Sequence, residues 1–152
     1  MCFSESSNFI LYCLHIAVRR LFFEGKQNTL NSSIFFYRFV FTNSGALKLE
    51  KDVEFEVGGL DLTPFLSGPL HSEDSRPIFD MYGCVCHFGC VYGGHYTAFS
   101  RHLGTDQWNH FNDNCIQESK VPGESQGDNG SAYILFYQRA GTMLFHSLLY
   151  ST

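Results

Sequence analysis

Ile78 to Val85, His95 to Ser100, Gln107 to Phe111 and the nearly continuous apolar run Ala132 to Gln138 are short segments of β-forming residues set between turns. That arrangement constrains the chain more than any other feature, because segments of this length and composition bury their apolar groups most readily as neighbouring strands. Upstream, Ile34 to Phe41 is rich in β-formers, and Asn43-Ser44-Gly45 follows as a turn, so a hairpin is expected there. Leu47-Lys48-Leu49 and Val53-Glu54-Phe55-Glu56-Val57 alternate apolar and charged residues, which predicts two strands with one face in a core and one in water. Sixteen phenylalanines and eight tyrosines supply an aromatic interior. The predicted fold is α+β and β-rich, a twisted, mostly antiparallel sheet with few helices. Leu66 to Pro77 and Val121 to Ser131 read as exposed connections from their Pro, Gly, Ser and charge content.

Chemistry concentrates between Met81 and Asp113. In Gly93-Gly94-His95-Tyr96, two glycines remove bulk beside a histidine, so an extended peptide can lie close to the imidazole. Downstream, Phe111-Asn112-Asp113 puts an amide and a carboxylate at a strand end. Either group can accept the proton of a ring nitrogen and fix the tautomer of the histidine. A turn at Leu103-Gly104-Thr105-Asp106 would return Asn112 to the level of His95. Adjacent strand residues face opposite ways, so Asn112 and Asp113 reach the same ring only if a bulge or strand end intervenes. Base and orienter of a nucleophilic site are the chemistry suggested.

Many points along the chain resemble the ubiquitin-specific protease family, papain-like cysteine peptidases that remove ubiquitin. They are Tyr82, Cys86-His87-x-Gly89 where the family has Asn-His-x-Gly, Gly94-His95-Tyr96-Thr97-Ala98, Trp108, Phe111-Asn112-Asp113 and Ala132 to Tyr137. Arg38-Phe39, Lys48, Val53-x-Phe55 and Gly59-Leu60-Asp61-Leu62 are similar to its strand elements, with Tyr37 departing from the usual lysine and Glu56 from the usual proline. The resemblance implies the β half of a papain-like peptidase, incomplete, over residues 34 to 139. It implies thiol-dependent hydrolysis at the C-terminal glycine of ubiquitin, with His95 as base, Asn112 as its orienter, Asp113 beside it supplying a carboxylate directly or through water, and Gly93, Gly94 and Tyr96 lining the channel for the ubiquitin tail. His87 is expected to be a structural strand histidine. Partners implied are ubiquitin and ubiquitinated proteins; no cofactor is implied.

The nucleophile of that family opens a helix in a Gly-Asn-Thr-Cys-Phe-like box, where the helix dipole lowers the thiol pKa. No such box occurs in the sequence. Cys2 and Cys13 do not follow Gly-Asn, and Cys115, three residues from Asn112, reads as structural. The chain is therefore expected to be a fragment, inactive alone, whose missing partner is the N-terminal half of the catalytic domain. The alternative is a non-catalytic ubiquitin-binding or decoy module.

A net charge of −5, with no basic cluster beyond Arg19-Arg20, argues against a nucleic-acid partner. Phe9 to Val18 is too short to cross a bilayer, and its positive charge follows the apolar run rather than preceding it, so neither membrane insertion nor a signal peptide is expected. Six cysteines without a secretory signal read as reduced thiols in the cytoplasm or nucleus. Cys84-x-Cys86-His87-x-x-Cys90 has ligand types for zinc, a third reading, but lacks paired C-x-x-C knuckles. Cys84, Cys86 and Cys90 would share one face of a strand and are expected to be small buried residues, with no metal. Residues 1–33 read as an unmatched leader and 140–152 as an unmatched tail.

Overall fold

The computed structural model describes residues 31–66, 76–102, 104–123 and 131–141. The leader before Asn31, most of both connections and the tail after Gly141 lie outside the described residues. The described residues form nine strands: β1 (Asn31–Phe35), β2 (Phe39–Thr42), β3 (Gly45–Lys48), β4 (Leu60–Asp61), β5 (Ile78–Cys90), β6 (Gly93–Arg101), β7 (Trp108–Asn112), β8 (Cys115–Ser119) and β9 (Ala132–Arg139). A 3-10 turn at Thr63–Phe65 carries Pro64 in its first turn. The main sheet runs β1-β9-β5-β6-β7-β8, with β4 against the start of β5, while β2 and β3 form a separate two-stranded sheet. Every pairing is antiparallel. No helix among the described residues is long and apolar enough to cross a membrane.

β5 is the spine of the sheet, since β6 pairs with one of its edges and β9 with the other. Strict alternation along β5 is broken twice against β9: Met81 is opposite Tyr137 while Gly83 is opposite Phe136, and Val85 is opposite Ile134 while Cys86 is opposite Ala132. The first bulge inserts Tyr82 and lets Met81 and Cys84, which differ in parity, both face the core. The core they enter holds Ile34, Phe36, Val53, Leu62, Phe79, Phe99, Trp108, Leu135 and Tyr137. Met81, Leu135 and Tyr137 are 0% exposed, so truncating Leu135 to alanine would cost about 2–5 kcal/mol. Burial raises the pKa of Tyr137, whose hydroxyl donates to the Glu56 carbonyl at 2.7 Å.

Four sequence expectations need correction. The run Ile34 to Phe41 is two strands, not one, because the chain leaves the main sheet after β1 and buries Arg38 before starting β2. The Arg38 guanidinium donates to the Ala132, Leu49 and Lys51 carbonyls, at 2.6, 3.0 and 2.9 Å, and its burial lowers its pKa. Val53 to Val57 is not a strand, although its alternation is real: Val53 is buried and Phe55 and Val57 pack on the core between exposed glutamates. Cys84 and Cys86 are buried as expected, but Cys90 is exposed, because β5 runs past the end of β9 and Gly89 takes a φ of +99° just before it. β1 also begins at Asn31, inside the stretch read as an unmatched leader, and buries Ser32.

A candidate histidine–asparagine site

His95 and Asn112 meet because of the β6–β7 register. Ala98 pairs with Phe111 as the last rung, so one step further the sheet brings Asn112 level with Thr97, and His95 is its diagonal neighbour on the same face. The hairpin is closed by His102, whose N–H donates to the Gln107 carbonyl at 2.8 Å, and by Asp106, which has a φ of +56°. Nε2 of His95 lies 2.6 Å from Oδ1 of Asn112. An amide oxygen accepts, so Nε2 carries the proton and the lone pair of the neutral ring is on Nδ1. Both side chains are exposed at the sheet end. The pair therefore presents an unencumbered, oriented imidazole nitrogen to whatever approaches this end of the sheet.

Asp113 is placed differently. It opens the two-residue Asp113-Asn114 turn that joins Asn112 to its partner Cys115, with a φ of +49°, a left-handed conformation that Asp tolerates better than most residues. Among the described residues the structure records no hydrogen bond or ion pair between Asp113 and His95. Cys115 is directly opposite Asn112 and exposed.

The two glycines are not equivalent. A β-carbon on Gly94 would overlap the His87 ring and come 2.5 Å from the Phe88 carbonyl oxygen, whereas one on Gly93 would meet nothing within 4 Å. Gly94 is thus required by the protein's own packing, and Gly93 leaves open space. Tyr96, opposite His87 in the ladder, is 52% exposed, with its ring centroid 4.7 Å from that of His87 and 6.0 Å from that of Tyr133. His87 is a buried strand histidine, as expected, but its ring is held by aromatic contacts with Phe39, Tyr96 and Tyr133. Its buried Nδ1 has no hydrogen-bond partner among the described residues. Burial, and secondarily the charge of Lys48, holds His87 below its usual pKa of 6.5. The alternation of Leu47-Lys48-Leu49 placed Lys48 on the water face, but it is Leu47 that is exposed, and the Lys48 ammonium turns inward and donates to the His87 carbonyl at 2.6 Å.

The family model described as ubiquitin carboxyl-terminal hydrolase matches residues 31–137. Ubiquitin carboxyl-terminal hydrolase 9 of Arabidopsis thaliana is 31% identical over 102 residues, 67% of this chain and 10% of that protein. Ubiquitin carboxyl-terminal hydrolase 4 of Saccharomyces cerevisiae is 36% identical over 95 residues, 53% of this chain and 10% of that protein. Among solved structures, the SAGA Ubp8/Sgf11/Sus1/Sgf73 DUB module bound to ubiquitin aldehyde is similar with a TM-score of 0.62 and 26% identity, over 75% of this chain and 25% of that one. A yeast SAGA DUB module with a mutant Sgf73 gives 0.61 and 28%, over 75% and 24%. The chain thus spans about a tenth of the length of these curated relatives and a quarter of the solved chains. The family match covers the strands that carry both members of the His95–Asn112 pair, and the chain belongs to the ubiquitin carboxyl-terminal hydrolase family.

Proposed function

We propose that this chain supplies the base and orienter of a thiol-dependent ubiquitin hydrolase, acting with a thiolate that comes from a segment outside the 152 residues. The observation that carries this reading is the 2.6 Å contact between Nε2 of His95 and Oδ1 of Asn112, which leaves Nδ1 to take a proton. In the reaction, Nδ1 of His95 accepts the thiol proton, and the thiolate attacks the carbonyl carbon of ubiquitin's terminal glycine. His95 then returns that proton to the departing amine, and a thioester remains. Water then gives a proton to Nδ1 as its oxygen attacks the thioester carbonyl; the C–S bond breaks, releasing ubiquitin's carboxyl group, and Nδ1 returns the proton to the departing thiolate. Asn112 holds the ring in one tautomer throughout without adding charge.

Gly93, Gly94 and Tyr96 fit the ubiquitin tail in this reading. The tail's two glycines would pass over the open side of Gly93, and the exposed Tyr96 ring would wall the passage. This surface needs no nucleophile, so a non-catalytic ubiquitin-binding or decoy module is the second reading. Exposed thiols at Cys90 and Cys115 suit a reducing compartment, the cytoplasm or nucleus.

The test is hydrolysis of a fluorogenic ubiquitin amide by the purified chain, alone and after joining to a half-domain bearing a Gly-Asn-x-Cys box. No turnover alone and turnover when joined are expected. Turnover by the chain alone, lost on alkylation of one of its cysteines, would make that cysteine the nucleophile. Ubiquitin binding with no turnover in any joined form would favour the second reading.

A further inference from the structure

Two cationic side chains tie the β2–β3 hairpin to the body of the protein. Arg38 anchors its root, through the Ala132 carbonyl on one side and the Leu49 and Lys51 carbonyls on the other. Lys48, at the end of β3, donates from Nζ to the His87 carbonyl at 2.6 Å. That carbonyl belongs to an edge the sheet leaves open: the β9 ladder ends where Ala132 meets Cys86, so from His87 onward β5 has β6 on one side and no β9 residue on the other. The ammonium supplies the donor that a strand N–H would have provided. A charged donor makes this a stronger bond than a neutral one.

The position of the bond matters because of what the hairpin faces. Phe39 is directly opposite Lys48 and shares its face, and its ring lies 5.4 Å from His87 and 6.0 Å from Tyr133. Tyr96 rests on the same two rings. Phe41, two residues further along that face, is 76% exposed and extends beyond the cluster. The hairpin and the Gly94–Tyr96 segment are therefore two walls built on one aromatic floor, and the hairpin has no backbone ladder to hold it there.

We infer that Lys48 is a positioning residue, whose bond to the His87 carbonyl fixes the β2–β3 hairpin over the Gly94–Tyr96 surface and sets the width of the cleft between them. The role in substrate binding rests on the proposal that this surface receives the ubiquitin tail; the fixing of the hairpin does not. Lys48→Met removes the donor and keeps the aliphatic stem, while Lys48→Arg keeps a donor of similar reach.

The experiment compares amide hydrogen exchange in the full chain and its two variants, with a ubiquitin titration of each. In Lys48→Met, the amides of Phe39–Thr42 and Gly45–Lys48 should exchange about tenfold faster or more, while those of Ala132–Arg139 stay unchanged. Lys48→Arg should exchange like the parent, and ubiquitin should bind Lys48→Met roughly fivefold more weakly than either. Unchanged hairpin exchange in Lys48→Met, an equal rise throughout β9, or failure of Lys48→Arg to restore protection would overturn the inference. If the parent does not bind ubiquitin yet the exchange pattern appears, the positioning role stands and the assignment of the surface falls. Binding without the exchange pattern sinks the positioning role alone.

Discussion

Nε2 of His95 and Oδ1 of Asn112 are close enough for one strong hydrogen bond, and Asp113 opens the adjoining turn. When the chain is joined to a half-domain with the nucleophile, His95→Ala should therefore abolish turnover, and Asn112→Ala should lower kcat by about a hundredfold or more. Asp113→Ala should stay within about tenfold of the parent. Steady-state kinetics of the three single variants decides between the two partners: collapse in Asp113→Ala with near-parent rates in Asn112→Ala would transfer the role. A second histidine makes a prediction about pH. Burial and then Lys48 lower the pKa of His87 in the folded state, so the unfolded chain binds its proton more readily. The stabilisation is complete above about 6.5 and drains away as pH falls from there toward the depressed folded value. Urea unfolding at pH 7.5 and pH 5.5 should show a loss of stability for the parent, and a smaller loss for His87→Gln. An equal loss in both would assign the acid sensitivity elsewhere.

At the level of elements, Gly93-Gly94 reads in sequence as one flexible pair, and the β5–β6 register splits it. Gly94 pairs with Gly89 beneath the His87 ring, and the side of Gly93 is open. Gly94→Ala should cost about 1–3 kcal/mol in denaturant unfolding, since a backbone carbonyl cannot move away as a flexible side chain can. Gly93→Ala should melt like the parent and lose affinity for ubiquitin, a separation of fold from binding that calorimetry and titration can read on the same samples. Equal destabilisation by both would mean that the open side of Gly93 has no bearing on ligand. β5, β6, β7 and β9 were legible because each buries residues on at least one face, and burial writes periodicity into sequence. β8 was not foreseen: four of its five residues are exposed, including Ile116 at 64%, so packing imposes no pattern on it. Val53 to Val57 failed in the opposite direction. It has the alternation of a strand, but alternation records which side chains meet the core and says nothing about whether a neighbouring strand accepts the backbone hydrogen bonds. The His95–Asn112 pair was legible from residue types and the intervening turn, while choosing Asn112 over Asp113 as the contact needed the register.

Among the described residues, the main sheet ends in two strands that pair on one side only. β1 is one edge, with Phe35 exposed, and β8 is the other, with Ile116 exposed. Tyr37, Phe41, Leu47 and Tyr92 add further exposed apolar surface on and around the hairpins. If a further segment completes the catalytic site as proposed, it would cover such surface; in the isolated chain it meets water. Unpaired strand edges flanked by apolar side chains recruit further strands, and charge on an edge is the usual protection against that. β8 has Glu118 but no lysine or proline. The isolated chain should therefore associate reversibly at micromolar concentration, seen as a sedimentation coefficient that rises with loading. Ile116→Lys should weaken that association by placing charge on the β8 edge, with little effect on the melting midpoint, because an exposed edge residue contributes little to the core. A concentration-independent monomer with one sharp, two-state melt would contradict this prediction, and would mean that these 152 residues close their own surface well enough to act as an independent binding module.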